Sequence, residues 1–282
     1  MKTLIVHTGG LGDFLLACPA IAALAGEGPI ELLGRPERLA LAVGSGIAVA
    51  AHDIETSGFE SLFSVPNPII QQFLARFDRC IVWMHDDGTL ERAIHLCGVK
   101  EVVCFPGLPP AGWSEHASAY YSMMLGFYDL PPFRLAVNAS HGYDIVIHPG
   151  SGGRNKNWPW ERFKTLAGAL AEMGRHVAWC LGPAEEQGPW NDAHPLLRPA
   201  TPMELARHLA GAALYIGNDS GVTHLAAAAG VSVVAIFGPT EPAIWAPQGD
   251  NVLVVRGNPW PEVGEVLNRA VAACLSRDGT AR

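Results

Sequence analysis

Between Ile216 and Pro242 the chain reads as a strand, a turn, a helix, a second strand and a loop. Leu214, Tyr215 and Ile216 form a short apolar run that stops at Gly217. Asn218, Asp219, Ser220 and Gly221 follow, a set of turn and N-cap residues. Residues 222–229 are small and helix-compatible, able to lie close against a sheet, and Gly230 stops the run. Residues 233–237 are then continuously apolar, as in a strand buried on both faces. The turn therefore lies at the carboxyl end of a parallel strand, the edge at which open α/β sheets bind ligands. Its backbone N–H groups open a helix, which favours an anion such as a diphosphate. His224, about one turn into that helix, is within reach of the same anion. A plain capped crossover accounts for this turn equally well, so the rest of the chain must decide.

The same alternation runs from the amino end. Residues 3–6, 30–33, 47–53, 80–84 and 101–105 read as strands, and 14–24, 36–43, 66–77, 89–97 and 115–125 as helices. Short strands alternating with helices predict a parallel sheet covered on both faces. Residues 128–142 hold Pro131 and Pro132 and few periodic positions, and mark a linker. The expected boundary is near residue 140, giving domains 1–140 and 141–282. The pattern then restarts, with strands at 143–148, 176–181 and 252–255 and helices at 160–173, 202–210 and 261–275 around the stretch described first. Thr201 and Glu204 fit a capping box. The last helix is the one element expected to be able to pack back on the first domain.

Each half carries a glycine-containing loop after its first strand. In the first half it is His7-Thr-Gly-Gly-Leu-Gly-Asp13, in which Gly9, Gly10 and Gly12 allow a tight turn and bring a ligand close to the backbone. It is not G-x-G-x-x-G, and no ribose-binding acid stands at the expected distance. Asp13 is either a helix N-cap or a carboxylate at the mouth of a ligand site, able to take a proton. In the second half, Ser151, Arg154 and Lys156 lie in a loop spanning 149–159, where a cation can neutralise a phosphate. Trp158 either packs under that loop or stacks on a base. Glu185 follows another strand end and suits either a ribose or base hydroxyl or a helix start. His85, Asp86 and Asp87 cluster in a turn but lack the D-x-D spacing of a metal loop, so no metal site is assigned. Two such halves predict a cleft between facing sheets.

Composition excludes several classes. With 49% apolar and 16% charged residues the chain can build a sizeable core. A net charge of −8 is the wrong sign for a nucleic-acid binder. The six cysteines include no C-x-x-C pair, which fits a reducing, cytoplasmic setting. No apolar run approaches the ~20 residues of a membrane span, which leaves at most peripheral contact with the inner membrane. The apolar start is cut short by His7 and the glycines before it can form a signal-peptide core.

Three segments together carry a family resemblance. Leu4-Ile-Val-His-Thr-Gly-Gly-Leu-Gly-Asp13 with Pro19-Ala-Ile21 resembles the opening of glycosyltransferase family 9, the lipopolysaccharide heptosyltransferases. His148-Pro-Gly-Ser151 followed by Lys156-Asn-Trp-Pro159 and Arg162-Phe163 is similar to that family's middle motif. Asn218-Asp-Ser-Gly-Val-Thr-His-Leu-Ala226 with Ile236-Phe-Gly-Pro-Thr-Glu-Pro242 resembles its donor-site motif, with Ser220 where the family often has threonine. The resemblance implies an α/β GT-B fold, two Rossmann-like doubly wound domains facing across a cleft. It implies an inverting transfer of heptose from ADP-heptose to a saccharide or glycolipid hydroxyl, with no obligatory metal or other cofactor. By position it makes Asp13 the general base and Lys156 the lysine near the donor phosphate. Asp219, Ser220, Gly221, Val222 and His224 become the donor-binding turn, with Ser151, Arg154 and Glu185 beside it.

One property departs from the family's anionic acceptors. Residues 1–138 carry 8 Lys and Arg against 14 Asp and Glu. That surface does not invite a polyanion, so the acceptor is expected to be a different saccharide. A nucleotide-sugar epimerase or hydrolase, or a non-catalytic nucleotide-sugar-binding protein, are the alternatives on the same scaffold. A serine hydrolase is not, because no G-x-S-x-G elbow is present.

Overall fold

The computed structural model describes residues 1–140, 142–182 and 194–280, the last five without their side chains. Contacts divide it into two units, Met1–Phe133 and Arg134–Arg282. In the first unit β1 (Thr3–His7), β2 (Ile30–Gly34), β3 (Ala50–Asp53), β4 (Arg79–Trp83) and β5 (Glu101–Phe105) alternate with five helices. These are α1 (Leu11–Leu24), α2 (Pro36–Gly44), α3 (Pro68–Leu74), α4 (Thr89–Leu96) and α5 (Ala117–Met124). The strands are all parallel, in the order β3-β2-β1-β4-β5. The order reverses direction between β1 and β4, so the loop after β1 leaves the sheet at its topological switch point. Leu4, Val6, Leu33, Ile70, Val82, Leu90 and Ile94 form part of a core on one face of this sheet.

The second unit holds β6 (Ile145–His148), α6 (Trp160–Glu172), β7 (Val177–Cys180), β8 (Leu196–Leu197), α7 (Pro202–Gly211), β9 (Leu214–Asn218), α8 (Gly221–Ala228), β10 (Ser232–Phe237), α9 (Pro242–Trp245), β11 (Val252–Arg256) and α10 (Val263–Thr280). Its strands are also parallel, in the order β11-β10-β9-β6-β7-β8. Here the switch point lies between β6 and β9, which pair as Ile145–Leu214 through His148–Gly217. The loops after β6 and β9 therefore leave the sheet side by side.

The unit boundary, between Phe133 and Arg134, falls seven residues before the expected one. Arg134 donates to Asn251 Oδ1 at 3.0 Å and to the Ala227 carbonyl at 3.2 Å, and the Leu135 N–H donates to the Ala228 carbonyl at 2.8 Å. These bonds tie the proline-rich stretch to the second unit from its first residues. Helix α10 buries Val266, Ala270, Ala273 and Cys274 in its own unit's core, with Trp179 and Phe163. At α7, Thr201 caps the Glu204 N–H at 3.1 Å, but the Glu204 carboxylate reaches the Ala200 N–H at 2.7 Å instead of the cap itself.

Candidate functional site

The loop after β1 is held at its backbone groups by side chains of α1 and α2. Gly10, not Asp13, is the N-cap of α1. Asp13 is the third helical residue, and its Oδ2 accepts the Gly10 N–H at 2.8 Å. The plain reading of Asp13 as N-cap is thus replaced by a cap made from inside the first turn. Arg38 of α2 donates to the Gly9 carbonyl at 2.6 Å and fixes the other side of the turn. Gly9 has no room for a side chain. A β-carbon there would lie 2.9 Å from His7 Cε1 and 3.2 Å from Asp13 Oδ2. Gly12 sits in the first turn of the helix, half-buried beside Asp13.

Under this turn lies an aromatic floor. His7 meets Phe14, Trp83 and Tyr121 with ring centroids 5.3, 6.0 and 6.4 Å apart. Tyr121 of α5 donates its hydroxyl to the Gly107 carbonyl at 2.8 Å. Burial, with a contribution from the Asp13 charge, pushes the Tyr121 hydroxyl well above the usual phenol range, so it remains a donor. The His7 imidazole is lowered to about 4, mainly by burial and then by the charge of Arg38, against a small opposing effect of its own backbone carbonyl. It is neutral at physiological pH.

The second unit's site is braced by side chains. Asn218 ends β9, fully buried; its Oδ1 accepts the Trp158 N–H at 2.9 Å and its Nδ2 donates to the Pro149 carbonyl at 2.7 Å. One carboxamide thus locks the loop after β6 to the strand across the switch point. Trp158 is packed under that loop against Phe163, its Nε1 donating to the Pro261 carbonyl at 3.0 Å. This resolves its two readings in favour of packing. Ser151 Oγ lies 2.7 Å from the Gly153 carbonyl and 2.6 Å from Asn157 Oδ1, so it shapes the loop from inside. Lys156 Nζ reaches Asp219 Oδ2 at 2.8 Å. Ser220 is the N-cap of α8, its side chain accepting the Thr223 N–H. Gly221 and Val222 are the first two helical residues, and His224 follows within the same turn, 8% exposed.

Lys156, Asp219, Ser220, Gly221 and Val222 are therefore gathered at one helix start, with Ser151 in the wall of the adjoining loop. Arg154 is exposed in the single 3-10 turn that carries Lys156. Glu185 lies outside the described residues. A half-buried ammonium beside the start of a helix can receive a diphosphate, the cation and the helix N–H groups acting on the same oxygens. Asp86 and Asp87 serve the start of α4: Asp86 accepts from Leu90 and Glu91 N–H at 2.9 and 3.1 Å, Asp87 from Thr89 N–H at 3.1 Å. Three supporting residues were not singled out from sequence. Asn218 read as a turn residue, Arg38 fell inside the expected helix over 36–43 without a role, and Thr223, which bonds Tyr215 and Ser220 at 3.1 Å each, read as part of a small-residue helix.

Two doubly wound parallel sheets, each with its loops at a switch point, define the Rossmann-like α/β class of the GT-B fold. The whole-chain fold matches the solved structure of Escherichia coli ADP-heptose lps heptosyltransferase II, with a TM-score of 0.81 over 99% of this chain and 100% of that one, at 17% identity. Residues 132–267 match the family model described as glycosyltransferase family 9 (heptosyltransferase). In sequence the chain is 32% identical over 135 residues to lipopolysaccharide heptosyltransferase 1 of E. coli O18:K1:H7, covering 46% of this chain and 41% of that protein. It is 30% identical over 162 residues to lipopolysaccharide heptosyltransferase 1 of Pseudomonas aeruginosa, covering 50% and 44%. The matched stretch thus spans about two fifths of the length of these curated relatives. Just under half of the chain thus matches glycosyltransferase family 9, and the match takes in the loop after β6 and the start of α8.

Proposed function

We propose that this chain is an inverting glycosyltransferase of lipopolysaccharide or related surface-glycan assembly. The donor is a nucleotide diphosphate sugar, ADP-heptose on the names of its relatives, and the acceptor is a saccharide hydroxyl. The observation that carries the reading is the Lys156–Asp219 pair, 2.8 Å long, at the capped start of α8 inside the matched region. In this reading the diphosphate shares the Lys156 ammonium and the first N–H groups of α8. Asp13 takes the proton of the acceptor hydroxyl as its oxygen bonds to the anomeric carbon. The carbon–oxygen bond to the diphosphate breaks on the opposite side, and its electron pair leaves with the nucleotide. The growing negative charge falls on oxygens already facing a cation and a helix start, which is electrostatic preorganisation. General-base assistance of this kind contributes about 10²–10⁴ in rate.

The reaction is metal-independent in this reading, so chelator leaves the rate unchanged. Any membrane contact is peripheral; among the described residues no helix is long and apolar enough to cross a membrane. Asp13→Asn is expected to abolish transfer while ADP still stabilises the protein. ADP at about 100 times its dissociation constant raises stability by ~2.7 kcal/mol, which a melting curve reads directly. An Asp13→Asn variant with full transfer overturns the assignment of the base. Rapid turnover of donor with no acceptor present overturns the transferase reading.

A further inference from the structure

We propose that His7 is a positioning residue for Asp13, its bare Nε2 accepting a hydrogen bond from the Asp13 carboxyl group once that group is protonated. The inference rests on the reading of Asp13 as proton acceptor. Its own evidence is geometric. His7 ends β1 at the switch point, 3% exposed, directly beneath the turn that presents Asp13. His7 Cε1 and Asp13 Oδ2 flank one point, where a β-carbon on Gly9 would stand 2.9 Å from the first and 3.2 Å from the second. His7 Nε2 is buried and, among the described residues, has no hydrogen-bond partner. A buried polar atom left unpaired costs on the order of 1–3 kcal/mol, which calls for a role.

The tautomer follows from the same surroundings. In this proposal the ring proton sits on Nδ1, the nitrogen left for the ring's own backbone carbonyl when Nε2 is unpartnered. Nε2 is then a lone-pair acceptor. The ionised Asp13 carboxylate has no hydrogen to give it and is served by the Gly10 N–H instead. A proton taken from the acceptor hydroxyl converts Asp13 into a carboxylic acid, which has one hydrogen to donate. The unpartnered Nε2 of His7 is a buried acceptor beneath the same turn. No proton passes to His7: the hydroxyl proton moves to Asp13, and the hydrogen bond stabilises it there until it leaves to solvent. The charged and titratable groups facing this pair are Arg38 from α2 and Tyr121 from α5, while β4 contributes only the uncharged Trp83. Burial, and then the Arg38 charge, keep His7 in the neutral, accepting form.

The test compares wild type, His7→Phe, His7→Gln and Asp13→Asn, with ADP-heptose as donor and, as acceptor, whichever of heptose-deficient lipopolysaccharide core and an uncharged oligosaccharide the wild type turns over faster. His7→Phe keeps the aromatic floor and removes the acceptor. Its kcat is expected to fall about tenfold with the donor KM unchanged, the loss of one hydrogen bond formed only as the reaction proceeds. The acid limb of its rate profile should move to lower pH, because a hydrogen bond to a protonated carboxyl favours that form. His7→Gln, whose carboxamide oxygen accepts, should recover most of the rate. An unchanged kcat and acid limb in His7→Phe, with Asp13→Asn inactive, overturns the proposal and leaves the base assignment standing. An active Asp13→Asn overturns the base assignment itself. A second measurement needs neither turnover nor a His7 variant. In Asp13→Asn the carboxamide N–H mimics the protonated carboxyl, so the ¹⁵N resonance of His7 Nε2 should shift from its bare position in wild type. A resonance that stays where it was overturns the proposal.

Discussion

The two switch-point loops are built from similar sequence material and are held in different ways. The loop after β1 is held at its backbone groups by side chains near in sequence: Asp13 on the Gly10 N–H, Arg38 on the Gly9 carbonyl, and a floor of rings beneath. Under it His7 Nε2 is buried and unpaired. The loop after β6 is cross-braced from a distant strand end: Asn218 holds both Trp158 and Pro149, and Lys156 closes on the Asp219 side chain. A braced site is prepared to hold a ligand of fixed shape such as a diphosphate. A backbone-held turn over an unpaired imidazole nitrogen is prepared for a change of protonation. That division matches the proposed donor and proton-transfer roles.

The comparison can be broken most sharply at Lys156. Lys156→Met removes the cation from the braced loop and leaves the Asp219 carboxylate, 7% exposed, without its partner. Turnover should fall about a hundred- to a thousandfold, as when one preorganised donor is lost, and ADP should no longer raise the melting temperature. An undiminished response to ADP would remove the braced loop from the donor site.

The backbone-held loop should betray itself by its acid sensitivity. His7 is lowered to about 4 in the folded chain from the ordinary 6.5. Between those values the unfolded state binds the extra proton, so stability rises with pH; it is complete above about 6.5 and is lost as pH falls toward 4. The span corresponds to ~3 kcal/mol. Urea melts of wild type at pH 7 and pH 4.5 should differ by a large part of that amount beyond what His7→Phe shows. Equal pH slopes in the two proteins would mean that His7 is not held neutral by its surroundings.

Asn218→Ala tests the brace alone. It strands the Trp158 N–H and the Pro149 carbonyl in a buried place, a loss of ~2–3 kcal/mol. Asn218→Asp should be milder in the Trp158 bond and harsher in the Pro149 one, since a carboxylate accepts but does not donate. If both variants melt as wild type, the loop after β6 stands without its strand and the contrast between the two loops fails.

What could be read from the chain beforehand follows the range of each interaction. Strands and helices were legible because apolar periodicity and caps are local, and Asn67, Thr201 and Ser220 all cap as their neighbours predict. The two-residue strand β8, Leu196–Leu197, has no period to read and was not foreseen. The positions of Asp13, Lys156 and the Asp219–Val222 turn were visible because they sit at strand ends next to glycines. Their supports were not. Asn218 and Trp158 are 60 residues apart, and Arg38 and Gly9 are 29 apart, so neither bond leaves a trace in local sequence. His7 read as the first residue of the glycine loop, because only the fold reveals that it ends β1, buried and neutral, with Nε2 unpartnered.

The smallest expected effect separates the two helix starts. α8 is capped by the Ser220 side chain on the Thr223 N–H, whereas α1 starts at a glycine and is capped from inside by Asp13. Ser220→Ala should cost ~1 kcal/mol and Ser220→Gly only a few tenths, the usual ranking at an N-cap. Neither substitution touches Lys156, so ADP affinity should drop only as far as the frayed first turn withdraws its N–H groups, about fivefold or less for a loss of this size. Calorimetric titration with ADP measures the drop. If Ser220→Ala abolishes binding outright, the hydroxyl contacts the nucleotide directly, and the helix start is a ligand in its own right and not only a frame for the lysine.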